Sequence, residues 1–138
     1  MGKHPKGLYF LFFTEMWERF GYYLMLGIFV LYMIDADTGG LAFGDKISYD
    51  IYGTFIAFTY LTPFLGGFLA DRLLGYIKAT YIGGALMGIG YIGLAFASVD
   101  LFFFYASIAL IVIGNGFFKP SISTLLGNLY SDENVEYW

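Results

Sequence analysis

Glu15, Glu18, Arg19 and Tyr22 stand at i, i+3, i+4 and i+7 in the middle of a stretch, Leu8 to Ile34, that is otherwise apolar. On an α-helix those positions share one face, with Tyr23 beside them at i+8. Two carboxylates and a guanidinium inside a segment long enough to span a bilayer are energetically expensive there, and groups of this kind normally mark an ion or substrate pathway. A single intrahelical ion pair would need fewer ionisable groups.

A second cation lies far along the chain, in Ile113-Gly114-Asn115-Gly116-Phe117-Phe118-Lys119-Pro120. Arg19 is about 20 Å of helix from Lys6, and Lys119 about 15 Å before Leu129. Both then sit near the middle of a membrane of ~30 Å. Lysine can snorkel to an interface, but 15 Å is beyond its stem. Asn115, Lys119 and Ser123 recur every four residues as a polar stripe, and Pro120 with Gly114 and Gly116 predicts a bend. If the first and last helices face each other, Glu15 and Glu18 can neutralise Arg19 and Lys119. Moving a cation toward or away from a carboxylate changes its hold on a proton, which is the physics of proton-coupled transport. Tyr22, Tyr23 and Tyr60 offer hydroxyls and aromatic walls suited to a polar organic substrate.

The elements that must position these groups follow from composition. Of 138 residues, 59% are hydrophobic, 22% aromatic and 13% charged. A soluble domain would carry about twice that charge. The chain reads as an all-α integral membrane protein with helices at about 8–34, 51–70, 79–98 and 101–129. Polar connections lie at Asp35–Asp50, Asp71–Lys78 and Val99–Asp100, with an acidic tail from Tyr130 to Trp138. The first segment is too long and too charged for a cleaved signal peptide. Glycines at 83, 84, 88, 90 and 93 predict close helix packing, and none follows a strand to form a phosphate loop.

Lys3, Lys6, Arg72 and Lys78 flank one side of the predicted spans and Lys46 the other. The positive-inside rule then places the N-terminus and the Arg72 connection in the cytoplasm, and makes this a multi-pass protein of the cell membrane. There is no cysteine and one histidine, His4, so thiolate chemistry, disulfides and a Cys/His metal site are excluded. No Ser/His or Cys/His set suggests an enzyme. The expected cofactor list is empty apart from protons as the coupling ion.

Three motifs carry a family resemblance. Glu15-x-x-Glu18-Arg19-Phe20-x-Tyr22-Tyr23 resembles the first-helix signature of the proton-dependent oligopeptide transporter family. Gly67-x-x-x-Asp71-Arg72-x-x-Gly75 resembles the inner-loop motif of the major facilitator superfamily, to which that family belongs. Gly114-x-Gly116-x-x-Lys119-Pro120 resembles the family's fourth-helix lysine motif. The resemblance implies proton-coupled symport of di- and tripeptides by alternating access. Glu15, Glu18, Arg19 and Lys119 would couple protons. Arg19, Tyr22, Tyr23, Tyr60, Asn115 and Lys119 would bind peptide, and Gly67, Asp71, Arg72 and Gly75 would form the gating loop. Where many bacterial members continue Tyr-Tyr-Gly-Met-Arg, this chain has Tyr22-Tyr23-Leu24-Met25-Leu26, which leaves that cation's task to Arg19 and Lys119. The superfamily fold has twelve helices built from three-helix repeats, so the four read here are expected to be the first third of it, an N-terminal fragment. The implied partners are small peptides, the lipid bilayer and the remaining helices, with no nucleic acid. Transport of nitrate or another small anion, and a four-helix membrane interaction subunit, are the alternative readings.

Overall fold

A computed structural model describes residues 6–131. Among these the chain is four helices and no strand: α1 (Lys6–Ile34), α2 (Asp45–Leu69), α3 (Tyr76–Leu94) and α4 (Leu101–Ser131). The basic start at Lys3 and most of the acidic tail lie outside the described residues. The segments Asp45–Leu74, Tyr76–Leu94 and Leu101–Tyr130 are long and apolar enough to cross a membrane. α1 has the length, 29 residues, and carries Glu15, Glu18 and Arg19 within it. The protein is a multi-pass membrane protein.

α4 is the central helix. It packs most extensively on α3, then on α2, while α1 lies against both α2 and α4. The glycines explain the α3–α4 contact. A methyl group on Gly83 would fall 2.7 Å from the Gly114 carbonyl oxygen, and one on Gly114 2.6 Å from the Gly83 carbonyl oxygen. Only bare backbone lets two helices meet that closely, which is how helices associate in lipid without a hydrophobic driving force. Not every glycine of α3 serves this purpose: Gly88 has open space where a side chain would go.

At one end of the bundle the core is aromatic. Phe29 of α1 meets Phe55 of α2 at 5.3 Å and Phe104 of α4 at 5.9 Å between ring centroids. Tyr22, Met25, Phe29 and Met33 are the buried stripe of α1, stepping by three and four residues as one helical face must. Glu18 lies one turn before Tyr22 on that same stripe.

The connections differ from the sequence expectation. α2 begins at Asp45, about six residues earlier than its apolar run, with the aspartate in the first turn where the helix dipole favours an anion. The shortened loop folds back on the end of α1. The Asp35 carboxylate accepts hydrogen bonds from Thr38 N–H (3.0 Å), Thr38 Oγ1 (2.7 Å) and Gly40 N–H (3.1 Å). The expected basic connection at 71–78 is almost entirely helical. Ala70–Leu74 form a π-helical turn continuing α2, and Gly75 makes the break, at φ 76°, a value that favours glycine. α3 ends at Leu94, four residues short of the expected end. Asp100 then caps α4, its carboxylate accepting from Phe102 N–H at 2.9 Å. α4 runs unbroken through Pro120.

Candidate functional site

The Glu18 side chain is 8% exposed and that of Arg19 25%. Arg19 Nε donates to Glu18 Oε2 as an ion pair. Adjacent residues on a helix do not face each other, so the pair needs a third group to orient it. Asn115 of α4 is that group. Arg19 Nη2 donates to Asn115 Oδ1 at 3.1 Å, and Asn115 Nδ2 donates to the Thr59 carbonyl of α2 at 3.2 Å.

That last bond follows from the sequence of α2. The Thr59 carbonyl would normally accept from the N–H of residue 63. Residue 63 is proline, inside the helix, and has no N–H to give. The freed carbonyl is therefore available to Asn115, which is 1% exposed. One amide so ties α1, α2 and α4 together at the depth of the charges. Pro120 does the equivalent to Gly116 in α4. The liberated Gly116 carbonyl points at Gly66, where any side chain would collide with it. Thr62 Oγ1 adds a bond to the Val112 carbonyl at 3.1 Å.

The remaining predicted residues are placed less tightly. Tyr22 is buried, with the Arg19 guanidinium 5.4 Å from its ring centroid. Lys119 is exposed, and its Nζ stands 5.4 Å from the ring centroid of Tyr60, itself 67% exposed. Glu15 and Tyr23 are exposed. Among the described residues the one ion pair is Glu18–Arg19, so the four charges do not form a closed quartet. The expected Asn115–Lys119–Ser123 stripe is split. Asn115 turns into the bundle, whereas Lys119 and Ser123 are exposed, because a step of four residues drifts around a 3.6-residue helix.

Asn115, expected to touch substrate, accepts from Arg19 at Oδ1 and donates to the Thr59 carbonyl through Nδ2, so it braces Arg19. In the Gly67–Gly75 motif, Gly67 lies in α2 against Pro120 of α4. Asp71 Oδ1 accepts from the Tyr76 hydroxyl at 2.8 Å, and Arg72 stacks on Phe68 at 4.6 Å. Sequence reasoning missed Thr59, Pro63 and Tyr91. The signal for the first two was present, a proline in an apolar helix and the carbonyl four residues before it. Among the described residues, the Tyr91 hydroxyl of α3 and the Glu18 carboxylate oxygen Oε1 are buried and have no hydrogen-bond partner.

An apolar groove of about 860 Å³ runs between α1, α3 and α4, lined by residues such as Leu11, Thr14, Gly84, Phe118 and Leu129 and by none of the charged ones. Among the described residues no cluster of histidine and carboxylates could hold a metal ion. What the site can do is hold a half-buried charge pair of α1 against α2 and α4 through Asn115, and present a second, exposed cation beside an aromatic ring.

Comparison with known proteins matches residues 77–137 to a family model described as the POT family. A protein of Bacillus subtilis (strain 168) named uncharacterized transporter YclF is 39% identical over 95% of this chain and 27% of its own length. A di-/tripeptide transporter of Lactococcus lactis subsp. lactis (strain IL1403) is 40% identical over 94% of this chain and 27% of its own. Among solved structures, a peptide transporter POT in complex with sulfate superposes with a TM-score of 0.90 at 41% identity, over 95% of this chain and 27% of that one. A POT family transporter in complex with 5-aminolevulinic acid does so with a TM-score of 0.89 at 38% identity, over 96% and 27%. The chain spans about a quarter of the length of these relatives. The family model covers α3 and α4 with Lys119, and the pairwise matches extend to α1 and its charges.

Proposed function

We propose that this chain belongs to the POT family, whose model and relatives it matches, and that the protein carrying it is a proton-coupled symporter of di- and tripeptides working by alternating access. The observation that carries the reading is the Glu18–Arg19 pair, half-buried in α1 and braced by Asn115 of α4. Protonating Glu18 would remove one partner of Arg19 and leave the guanidinium to Asn115 and to a substrate carboxylate. Lys119, exposed over Tyr60, is the cation free to meet that carboxylate, with Tyr22, Tyr23 and Tyr60 as walls. Glu15 joins Glu18 in proton coupling, and protons are the only coupling species required.

Substrate class is supported by the relatives. One is named a di-/tripeptide transporter, and another was solved with 5-aminolevulinic acid, which like a dipeptide has an amine and a carboxylate at its ends. Residues 1–138 would form the first part of an N-terminal six-helix bundle, with the remaining helices as partners. Asp71 and Arg72, with Gly67 and Gly75, would gate the inner side. The distribution of Lys and Arg supports a cell-membrane protein with a cytoplasmic N-terminus.

The test is dialanine uptake into vesicles under an inward pH gradient, using the protein expressed from its native reading frame. Glu18→Gln should abolish gradient-driven uptake while leaving counterflow exchange far less affected. Equal gradient-driven uptake in the variant would refute the coupling role. Competition by nitrate without competition by dialanine would move the function to small-anion transport.

A further inference from the structure

We propose that the Tyr91 hydroxyl is a positioning partner of the Glu18 carboxyl, reaching Oε1 through one bridging water while Arg19 holds Oε2. The inference deepens the symport reading and rests on it for its meaning, though not for its test.

Each carboxylate oxygen of Glu18 has a different fate. Oε2 is taken by Arg19 Nε. Oε1 is buried and has no partner. Oxygen atoms shut away from water without a hydrogen bond are disfavoured and rare, and two of them at one helix seam call for a common explanation. The second is the hydroxyl of Tyr91, which faces α1 from α3. A side chain on Gly21 would meet the Tyr91 ring at Cε2, 3.9 Å away. Gly21 is three residues after Glu18 and so shares its face. The Tyr91 ring thus lies at contact distance from the Gly21 side of α1, the side that carries Glu18. A phenol donates and a carboxylate accepts, so the pair is chemically complementary.

The other groups facing Glu18 already have assignments. Arg19 and Glu15 lie on its own helix, and Lys119 acts from α4, where its ammonium is directed at Tyr60 of α2. Tyr22 lies beside Arg19. None of these is placed to donate to Oε1, which leaves Tyr91. The consequence for coupling is specific. A donor to the charged carboxylate favours its charged form, so Tyr91 sets the pH at which Glu18 accepts a proton, without touching substrate.

The test is Tyr91→Phe, which keeps the ring packed on Gly21 and the Met87–Phe118–Ile122 cluster and deletes only the oxygen. The first readout is infrared titration of the Glu18 carboxyl band in the purified protein, assigned by its absence in Glu18→Gln. The expected result is a midpoint displaced to higher pH by roughly one unit, a tenfold change in proton affinity, with the melting temperature nearly unchanged. Tyr91→Gln, which restores a donor, should bring the midpoint part of the way back. An unmoved midpoint in Tyr91→Phe overturns the proposal whatever the protein transports. The second readout is the pH dependence of dialanine uptake, expected to move in parallel. If the infrared midpoint moves and uptake in the parent protein shows no pH dependence, the Tyr91 assignment stands and the symport reading falls.

Discussion

The bond from Asn115 to the Thr59 carbonyl yields a quantitative prediction because Pro63 removes the fallback. In Asn115→Leu, the Thr59 carbonyl loses its donor, and the helix has no N–H at residue 63 to replace it. An unsatisfied buried carbonyl is worth about 1–3 kcal/mol. Arg19 also loses its acceptor at Nη2. Hydrogen bonds between membrane helices average about 0.6 kcal/mol and reach about 1.7, so this share is about 1 kcal/mol. Asn115→Leu should therefore lower the free energy of unfolding by about 2–4 kcal/mol. Restoring the donor through Pro63→Ala should return the carbonyl share. The double variant is then expected to be more stable than the sum of the singles by about 1–3 kcal/mol. Equilibrium unfolding in mixed micelles of the parent, both singles and the double variant measures this coupling. Additivity to within about 0.5 kcal/mol, the usual result for independent sites, would show that the proline does not free the carbonyl for Asn115, and the account of the node would be wrong.

Further expectations follow from single features. Gly83→Val should lower stability by about 1–3 kcal/mol through overpacking against the Gly114 carbonyl. Gly88→Ala, with nothing near it, should be neutral or stabilising by up to about 1 kcal/mol. Thermal melting of the two variants side by side checks both. Tyr60→Phe should leave the half-saturating dialanine concentration within twofold, because the ring under Lys119 remains. Tyr60→Leu should raise it about two- to fivefold, as an exposed cation–π contact of about 0.5–1 kcal/mol predicts. In the loop after α1, the Thr38 hydroxyl, and then the Thr38 and Gly40 N–H groups, hold the Asp35 carboxyl below the ordinary aspartate range. Its ordering of residues 35–40 should therefore be complete above the unfolded-state value of about 3.9 and be lost as pH falls through the lower folded value. Amide shifts of Thr38 and Gly40 should report that titration, and in Asp35→Asn it should vanish.

Much of the site could be read from α1 alone. Glu18 and Tyr22 keep to the face that Met25, Phe29 and Met33 bury, whereas Glu15 and Tyr23 of the same predicted face are exposed. What lay beyond the sequence was everything that depends on how helices are rotated and how closely they approach. Asn115 and Lys119 are four residues apart and looked alike on a stripe, yet α4 turns one inward and leaves the other exposed. The ends of α2 and α3 were misplaced because helicity does not stop where apolarity stops. Asp45 favours a helix start within a polar run, and the backbone at Ala70–Leu74 stays helical through a polar Asp-Arg pair by widening to a π turn. The four-way neutralisation of Glu15, Glu18, Arg19 and Lys119 required all four side chains to converge, and only two of them pair.

The two cations consequently have different physical roles. Arg19 has its donors committed at Nε and Nη2 and a tyrosine face beside it. A guanidinium suits this, since its planar fork can serve two acceptors in fixed directions. Among the described residues, the Lys119 ammonium meets the Tyr60 ring, and its side chain is exposed. A group held by several directional bonds moves only with the helices that hold it, whereas one held by a single cation–π contact can move within a fixed bundle. Charge rearrangement beside Glu18 should therefore begin with Lys119, and Arg19 should follow only when α1 and α4 shift relative to each other. On that argument the Asn115 bridge is the element that makes displacement of Arg19 a property of the whole bundle rather than of one side chain.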